Sequence, residues 1–293
     1  MRIIIIGFGS IGQRHYKNLT QLGYEDVSIY DVDENKIKNH PGPRLTQVKS
    51  LSPSSLASFE VALICNPNHK HLEVATRCVE AGLHVFIEKP LSHNLKGVDK
   101  LQALCQKKHL INMVACNMRF HPALSFIKKY LAAGRLGRVY TINHEFGYYL
   151  PKWRPGTDYR QNYAAKKSQG GGIVLDDIHE FDLLFWLNDF VPVAESHLLK
   201  SHSGALLIET EDAAKAIFKF KNGVLGSVAA DYLSQVYHRR LLVVGEKGSL
   251  TWDWTSGKVI LNGEGRPKTI HTLRPTWPLN QMYIEEMKYF LAA

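Results

Sequence analysis

Four consecutive isoleucines, Ile3 to Ile6, run directly into Gly7-Phe8-Gly9-Ser10-Ile11-Gly12. An unbroken β-branched run is the pattern of a strand buried on both faces of a parallel sheet. The glycines that follow have G-x-G-x-x-G spacing. That spacing carries weight because a strand precedes it and helical spacing over residues 11–22 follows it. Gly7 permits the tight turn, Gly9 lets backbone approach a pyrophosphate, and Gly12 lets the helix pack on the strand. Phe8, Ser10 and Ile11 complete the cradle, and the helix offers its first amides and its dipole to the phosphates. Residues 27–31 form a second apolar run ending in Asp31, 19 residues beyond Gly12. That is close to the spacing of the acid that holds the adenosine ribose hydroxyls. Val32 and Asp33 follow, with no Arg to receive a 2′-phosphate, which favours NAD over NADP.

The same alternation continues to residue 116. Residues 41–58 are rich in Pro and Ser and form the least regular part of this half. Residues 59–65 read as a buried strand that ends in Asn66-Pro67-Asn68, where a loop can touch the cofactor. Residues 69–80 have helical spacing, stopped by Ala81-Gly82. A strand over 83–87 then carries Glu88-Lys89-Pro90 at its carboxyl end, and ligands of open α/β sheets bind there. Pro90 lacks an N–H and stiffens the turn that carries Lys89. A helix over 94–108 and a strand over 110–116 complete a doubly wound parallel sheet.

At 293 residues the chain suits two domains, 1–118 and 119–293. With 45% hydrophobic and 22% charged residues it is an ordinary globular composition. The net charge of +9 is spread without any Lys/Arg run longer than two, which suits anionic small molecules better than nucleic acid. Cys65, Cys78, Cys105 and Cys116 form no close pair, as expected of buried thiols in a reducing cytoplasm. No stretch approaches the roughly 20 apolar residues of a membrane span, so no membrane partner is expected.

The second half begins with helical spacing over 120–133 and a strand over 139–149. A long polar and aromatic loop, 150–167, then includes Tyr159 and Arg160. Its rings and guanidinium groups suit a polyhydroxylated or anionic ligand, and they equally suit a subunit interface. Gly170-Gly171-Gly172 precedes one apolar helix over 173–187. Asp176, His179 and Asp182 recur there every three positions, along one side. Three uses fit that row: a metal site, for which no third ligand is evident, a core histidine satisfied by flanking acids, or an acid–base pair for a hydroxyl. No metal is expected. Six short alternating strands between 195 and 261 follow, with hairpin turns at Asn222-Gly223, Lys247-Gly248 and Ser256-Gly257. The expected fold is thus an N-terminal Rossmann sheet plus a C-terminal α+β domain with an open, largely antiparallel sheet. An amphipathic helix over 282–293 closes the chain without a stop signal, and the C-terminal end reads as cut short.

Gly7 to Gly12, Asn66-Pro67-Asn68 with His71, Glu88-Lys89-Pro90 and Asn117-Met118-Arg119-Phe120 occur in this order. Together they resemble the glucose–fructose oxidoreductase / inositol dehydrogenase / MocA family over nearly the whole chain. The resemblance implies NAD as cofactor, with Glu88, Lys89, Asn66, Pro67, Asn68 and His71 among its contacts. It implies a sugar or sugar-derived substrate, with surface sugars and sialic-acid-like compounds suggested by the His-Glu-x-Asp pattern at 179–182. Lys89 and His179 become the catalytic pair: His179 takes the hydroxyl proton and Lys89 stabilises the oxygen. Asp176 is also assigned a catalytic and substrate-orienting role, although the family's acid usually stands four residues before the histidine rather than three. Arg119, Tyr159 and Arg160 are the further substrate contacts. The resemblance also implies a homodimer or homotetramer formed through the C-terminal sheet. Two other activities fit the same residues, a glycosidase that holds NAD and uses it transiently and a non-catalytic dinucleotide-binding regulator. Presence of both Lys89 and His179 counts against the regulator.

Overall fold

The isoleucine run forms β1 (Ile3–Ile6), and all four residues are buried. The structure, a computed structural model, describes residues 1–40, 45–274 and 276–293. Part of the irregular 41–58 stretch therefore lies outside the described residues. Contacts divide the chain into two units, Met1–Cys116 with Tyr283–Ala293, and Asn117–Met282.

In the first unit β1 is followed by β2 (Val27–Tyr30), β3 (Thr46–Gln47), β4 (Val61–Ile64), β5 (His84–Glu88) and β6 (Asn112–Ala115). All pair in parallel, in the order β3-β2-β1-β4-β5-β6. This is the order of dinucleotide-binding sheets, with its switch point between β1 and β4. The helices are α1 (Ser10–Gln21), the short α2 (Asn35–Lys38) and α3 (Pro53–Leu56), α4 (His71–Glu80) and α5 (Val98–Lys107). The last begins four residues later than its spacing suggests, because Gly97 enters the left-handed region at φ 91° and caps it. Ile4, Ile6, Ala62, Ile64, Val85 and Ile87 pack under Val74, Cys78, Val79 and Leu101 on one face of the sheet.

The second unit is an eight-stranded sheet covered on one face by helices. Its elements are α6 (Pro122–Ala132), β7 (Val139–Tyr149), α7 (Leu150–Trp153), α8 (Ile173–Asp176), α9 (His179–Leu187) and β8 (Val193–Ser201). They continue as β9 (Ala213–Phe220), β10 (Leu225–Asp231), β11 (Leu233–Gly245), β12 (Gly248–Asp253), β13 (Lys258–Asn262) and β14 (Lys268–Thr272). Strand order is β14-β13-β12-β11-β7-β10-β9-β8, antiparallel throughout except where β10 meets β7. Alternate residues point inward, so Ile142, Val228, Leu241, Val243 and Trp252 bury against Leu124, Ile127, Leu183 and Leu184 of α6 and α9.

Three expectations need correction. The segment 150–167 is not a featureless loop. It folds as α7 and then short 3-10 turns at Tyr159–Gln161 and Tyr163–Ala165, followed by another at Lys167–Gln169. The helix expected over 173–187 is two helices, because Asp177 leaves helical geometry at φ −114°, ψ 48°. Finally, α10 (Gln281–Leu291) does not extend the second domain. Its Met287 and Phe290 pack with Ile3, Ile5, Leu19 and Phe86 on the other face of the parallel sheet. A division into consecutive domains 1–118 and 119–293 omits that return.

Candidate cofactor and catalytic sites

The glycine turn stands at the switch point of the parallel sheet. Gly7 has φ 99°, and a Cβ on it would lie 2.4 Å from the backbone nitrogen of Asn66. A Cβ on Gly12 would lie 2.0 Å from the Gly7 carbonyl oxygen, so α1 can sit this close only with glycine there. At Gly9 the same test meets nothing within 4 Å, leaving backbone open to an approaching group. Gly9 is also the N-cap of α1 and brings no side chain to its first amides. Ser10 and Ile11 are the first residues of that helix. Phe8 turns inward instead, fully buried beside Ile29 and Ile37, and contributes its backbone. Its N–H donates to Asp31 Oδ2 at 2.6 Å, while the Asp33 N–H donates to Oδ1 at 2.8 Å. Asp31 is thereby locked at the end of β2, 8% exposed, with Lys36 Nζ 3.3 Å from Oδ1. An open backbone approach, uncapped amides and a fixed acid beyond the second strand fit a dinucleotide.

The next two strand ends are tied together. His71, 2% exposed, places Nδ1 2.8 Å from the Pro90 carbonyl oxygen and Nε2 2.7 Å from that of Asn66. Burial lowers its pKa, opposed by the two carbonyls. His71 thus holds the Asn66-Pro67-Asn68 turn to the turn after β5. Glu88 is nearly buried, and Oε1 accepts from His15 Nε2 at 2.6 Å while Oε2 accepts the Lys89 N–H at 3.2 Å. Lys89 is half-buried at the carboxyl end of β5. His15, on α1, therefore links the glycine helix to the Glu88-Lys89-Pro90 turn. It was not among the predicted site residues; its signal was a histidine on the apolar side of the helix.

In the second unit Asp176, His179 and Asp182 do not form one row, because the helix breaks between α8 and α9. Asp176 accepts the hydroxyls of Tyr148 and Tyr232, each at 3.0 Å, and that of Tyr163. Burial and then the Asp176 charge push all three phenols above their ordinary pKa, so they remain donors. Tyr163 belongs to the 3-10 segment, and the carboxylate holds that segment to the sheet. Gly171 permits the same docking, since a Cβ there would lie 2.3 Å from the Tyr163 carbonyl. His179 opens α9 and is 9% exposed. Asp182 is engaged by Arg119, whose Nε donates at 2.8 Å and whose Nη2 makes a second contact. The Arg119 guanidinium also lies 5.1 Å from the Phe190 ring centroid. The Tyr159 hydroxyl accepts the Leu207 N–H at 3.2 Å. Arg160 is exposed and pairs with Asp158 at 2.8 Å.

Residues that sequence reasoning did not single out form the buried part of this cluster. Arg239, from the middle of β11, donates Nη2 to both oxygens of Asp177 at 2.9 and 3.1 Å. Its Nε stands 2.7 Å from Glu180 Oε1. Burial raises the Glu180 carboxyl well above its ordinary range; Arg239 opposes this and Asp177 adds to it. For Arg239, burial disfavours the charge, but Glu180 and Asp177 outweigh it and the guanidinium stays charged. Among the described residues no group of three or more His, Cys, Asp or Glu side chains is arranged to hold a metal ion. No helix among them is long and apolar enough to cross a membrane.

Residues 1–116 match the NAD-binding Rossmann-fold domain of the GFO/IDH/MocA oxidoreductase family, and residues 125–251 match the family's C-terminal domain. The chain is 26% identical to myo-inositol 2-dehydrogenase of Thermotoga maritima over 310 residues, covering 99% of this chain and 87% of that one. It is 23% identical to UDP-N-acetylglucosamine 3-dehydrogenase of Acidithiobacillus ferrooxidans, covering 83% and 71%. In fold it is similar to levoglucosan dehydrogenase solved with NADH and levoglucosan, at a TM-score of 0.84 and 20% identity, covering 100% and 89%. The glycine cradle, the strand order and both domain matches agree: the chain belongs to the GFO/IDH/MocA family and is an NAD-dependent oxidoreductase.

Proposed function

We propose that the protein interconverts a secondary hydroxyl and a ketone on a sugar or sugar-derived ring. The observation that carries this reading is the turn after β5. There Glu88, held by His15, accepts the Lys89 N–H and fixes the backbone from which the lysine projects. NAD supplies the hydride acceptor when bound by Gly7, Phe8, Gly9, Ser10, Ile11, Gly12 and Asp31, with Asn66, Pro67, Asn68, His71 and Glu88 shaping the adjoining turns. The Lys89 ammonium donates a hydrogen bond to the substrate oxygen and stabilises charge as the proton leaves. His179 takes that proton as general base. Asp176 already carries three phenol donors, so its role is orientation of the 159–169 segment and, through it, the substrate. Arg119, Tyr159 and Arg160 are the proposed substrate contacts.

Relatives acting on myo-inositol and on a nucleotide sugar support a ring polyol as the substrate class. Sialic-acid-like sugars belong in the same panel. Four buried free thiols support a reducing, cytoplasmic setting. Leu199, Ile217, Leu225 and Leu242 on the uncovered sheet face support self-association through that sheet. The test is NAD binding by fluorescence titration, then a panel of inositols, anhydrosugars, uronates, nucleotide sugars and sialic acids followed at the NADH absorbance. NADH formation with one class is the expected result. Glycoside cleavage without net NADH would replace this reading with that of a glycosidase.

A further inference from the structure

The helix expected over 173–187 breaks at Asp177 and Ile178, although neither Gly nor Pro stands there. The break has an acid on each side of His179, and both acids reach the same buried cation. Arg239 is 7% exposed and sits on the covered face of the sheet, in register with Phe146 of β7. Its guanidinium lies 4.2 Å from the Phe146 ring centroid and 5.7 Å from that of Trp254. Trp254 also donates its backbone N–H to the Arg239 carbonyl at 3.0 Å. Ring faces on the sheet side hold the planar cation. Asp177 at 2.9 Å and Glu180 at 2.7 Å hold it on the helix side. A cation and two acids at this depth are a poor way to stabilise a core, since apolar residues of equal volume commonly do as well or better. What the arrangement supplies is geometry. One rigid fork fixes the residue that opens the break and the residue that follows His179.

We propose that Arg239 is the positioning residue for His179, acting through Asp177 and Glu180 to set where the imidazole stands at the head of α9. This rests on the reading of His179 as the general base. Arg239 itself touches no reacting atom in this scheme.

The test compares Arg239→Met with wild type in two ways. The first needs no substrate: the His179 ring signals are followed by NMR of histidine-labelled protein and assigned by their loss in His179→Asn. Arg239→Met should shift or split them and leave those of the exposed His197 unchanged. The second is a double-mutant cycle on turnover with NAD and myo-inositol or levoglucosan. Alone, Arg239→Met should lower kcat about 100-fold with KM changed far less. In the His179→Asn background it should lower kcat by less than about twofold, because its effect passes through His179. Unmoved His179 signals in folded Arg239→Met protein overturn the proposal. So does an equal loss in both backgrounds, which would make Arg239 a general packing residue. Where Arg239→Met does not fold, Arg239→Lys carries the same comparison, since it keeps the charge and loses the fork. If His179→Asn leaves turnover intact, the base assignment falls, and the NMR result still decides whether Arg239 places the ring.

Discussion

Strands β1 and β4 of the first unit are four residues long and buried throughout, whereas β7 and β11 of the second run to eleven and thirteen residues and largely alternate between covered and open faces. The polar chemistry follows that difference. In the first unit it stands at strand ends: Asp31 after β2, Asn66 after β4, Glu88 and Lys89 at the end of β5. The groups around it are partnered by nearby turns and by α1. In the second unit it lies beneath the middle of a sheet, where Arg239 projects from β11 and His144 from β7. A short, fully buried strand offers no place for a charge except its end. A long strand covered on one face can carry one inward wherever the covering helices supply acids.

The strongest way to test this contrast is at Lys89. Lys89→Ala should lower kcat about 1000-fold while NAD affinity stays within about twofold, since the lysine serves proton and charge chemistry rather than the cradle. Steady-state rates beside a fluorescence titration measure both, and an unchanged kcat would remove the lysine from the mechanism.

Acid should weaken the second unit. Burial and the Arg239 charge hold His144 neutral, with its pKa lowered to about 3, and burial chiefly lowers His121 to about 4. Unfolded histidine titrates near 6.5, so between that pH and the folded values the unfolded chain binds protons that the folded chain refuses. Stability therefore falls as pH drops from about 6.5 toward 4, by roughly 3 kcal/mol from His144 alone. All five tryptophans (Trp153, Trp186, Trp252, Trp254 and Trp277) lie in the second unit, so their fluorescence reports that unit. Urea midpoints by tryptophan emission should fall steeply from pH 7 to pH 4.5. A flat profile would show that His144 and His121 are not held neutral.

Gly12→Ala sharpens the first half of the comparison. Its Cβ would meet the Gly7 carbonyl at 2.0 Å, forcing α1 away from the turn. NAD affinity should drop about tenfold to thirtyfold by calorimetry, with the tryptophan-reported midpoint unmoved. The smallest effect is expected at Lys36, whose ammonium partly offsets Asp31 at 3.3 Å. Lys36→Gln should weaken NADP binding about threefold relative to NAD, in keeping with a half-exposed ion pair. Competitive titration of the two nucleotides measures the ratio.

The same contrast explains what could be read in the sequence. Gly7 to Gly12, Asp31, Asn66 to Asn68 and Glu88-Lys89 are local patterns, each made by a strand and the turn that ends it. All four stand at the carboxyl ends of neighbouring strands, in the order β2, β1, β4, β5 across the sheet. Asp177 and Arg239 are 62 positions apart, and Tyr232 reaches Asp176 across 56. No short window contains such pairs. The break at Asp177 was hidden for the same reason: the apolar spacing of 173–187 runs through it, and the Arg239 fork that meets Asp177 comes from β11. The 3-10 turns of 159–169 are tied by the hydroxyls of Tyr163 to Asp176 and of Tyr159 to Leu207, contacts that their own periodicity does not announce.

The return of α10 to the first unit also bears on the order in which the protein is made. A ribosome completes β1 through β6 well before it reaches Met287 and Phe290, yet those side chains cover the face of Ile3, Ile5 and Phe86. Throughout synthesis of the second unit that face lacks part of its cover, a surface that a nascent chain must shield from its neighbours. The nucleotide-binding half begins to be translated before the second unit and is finished after it.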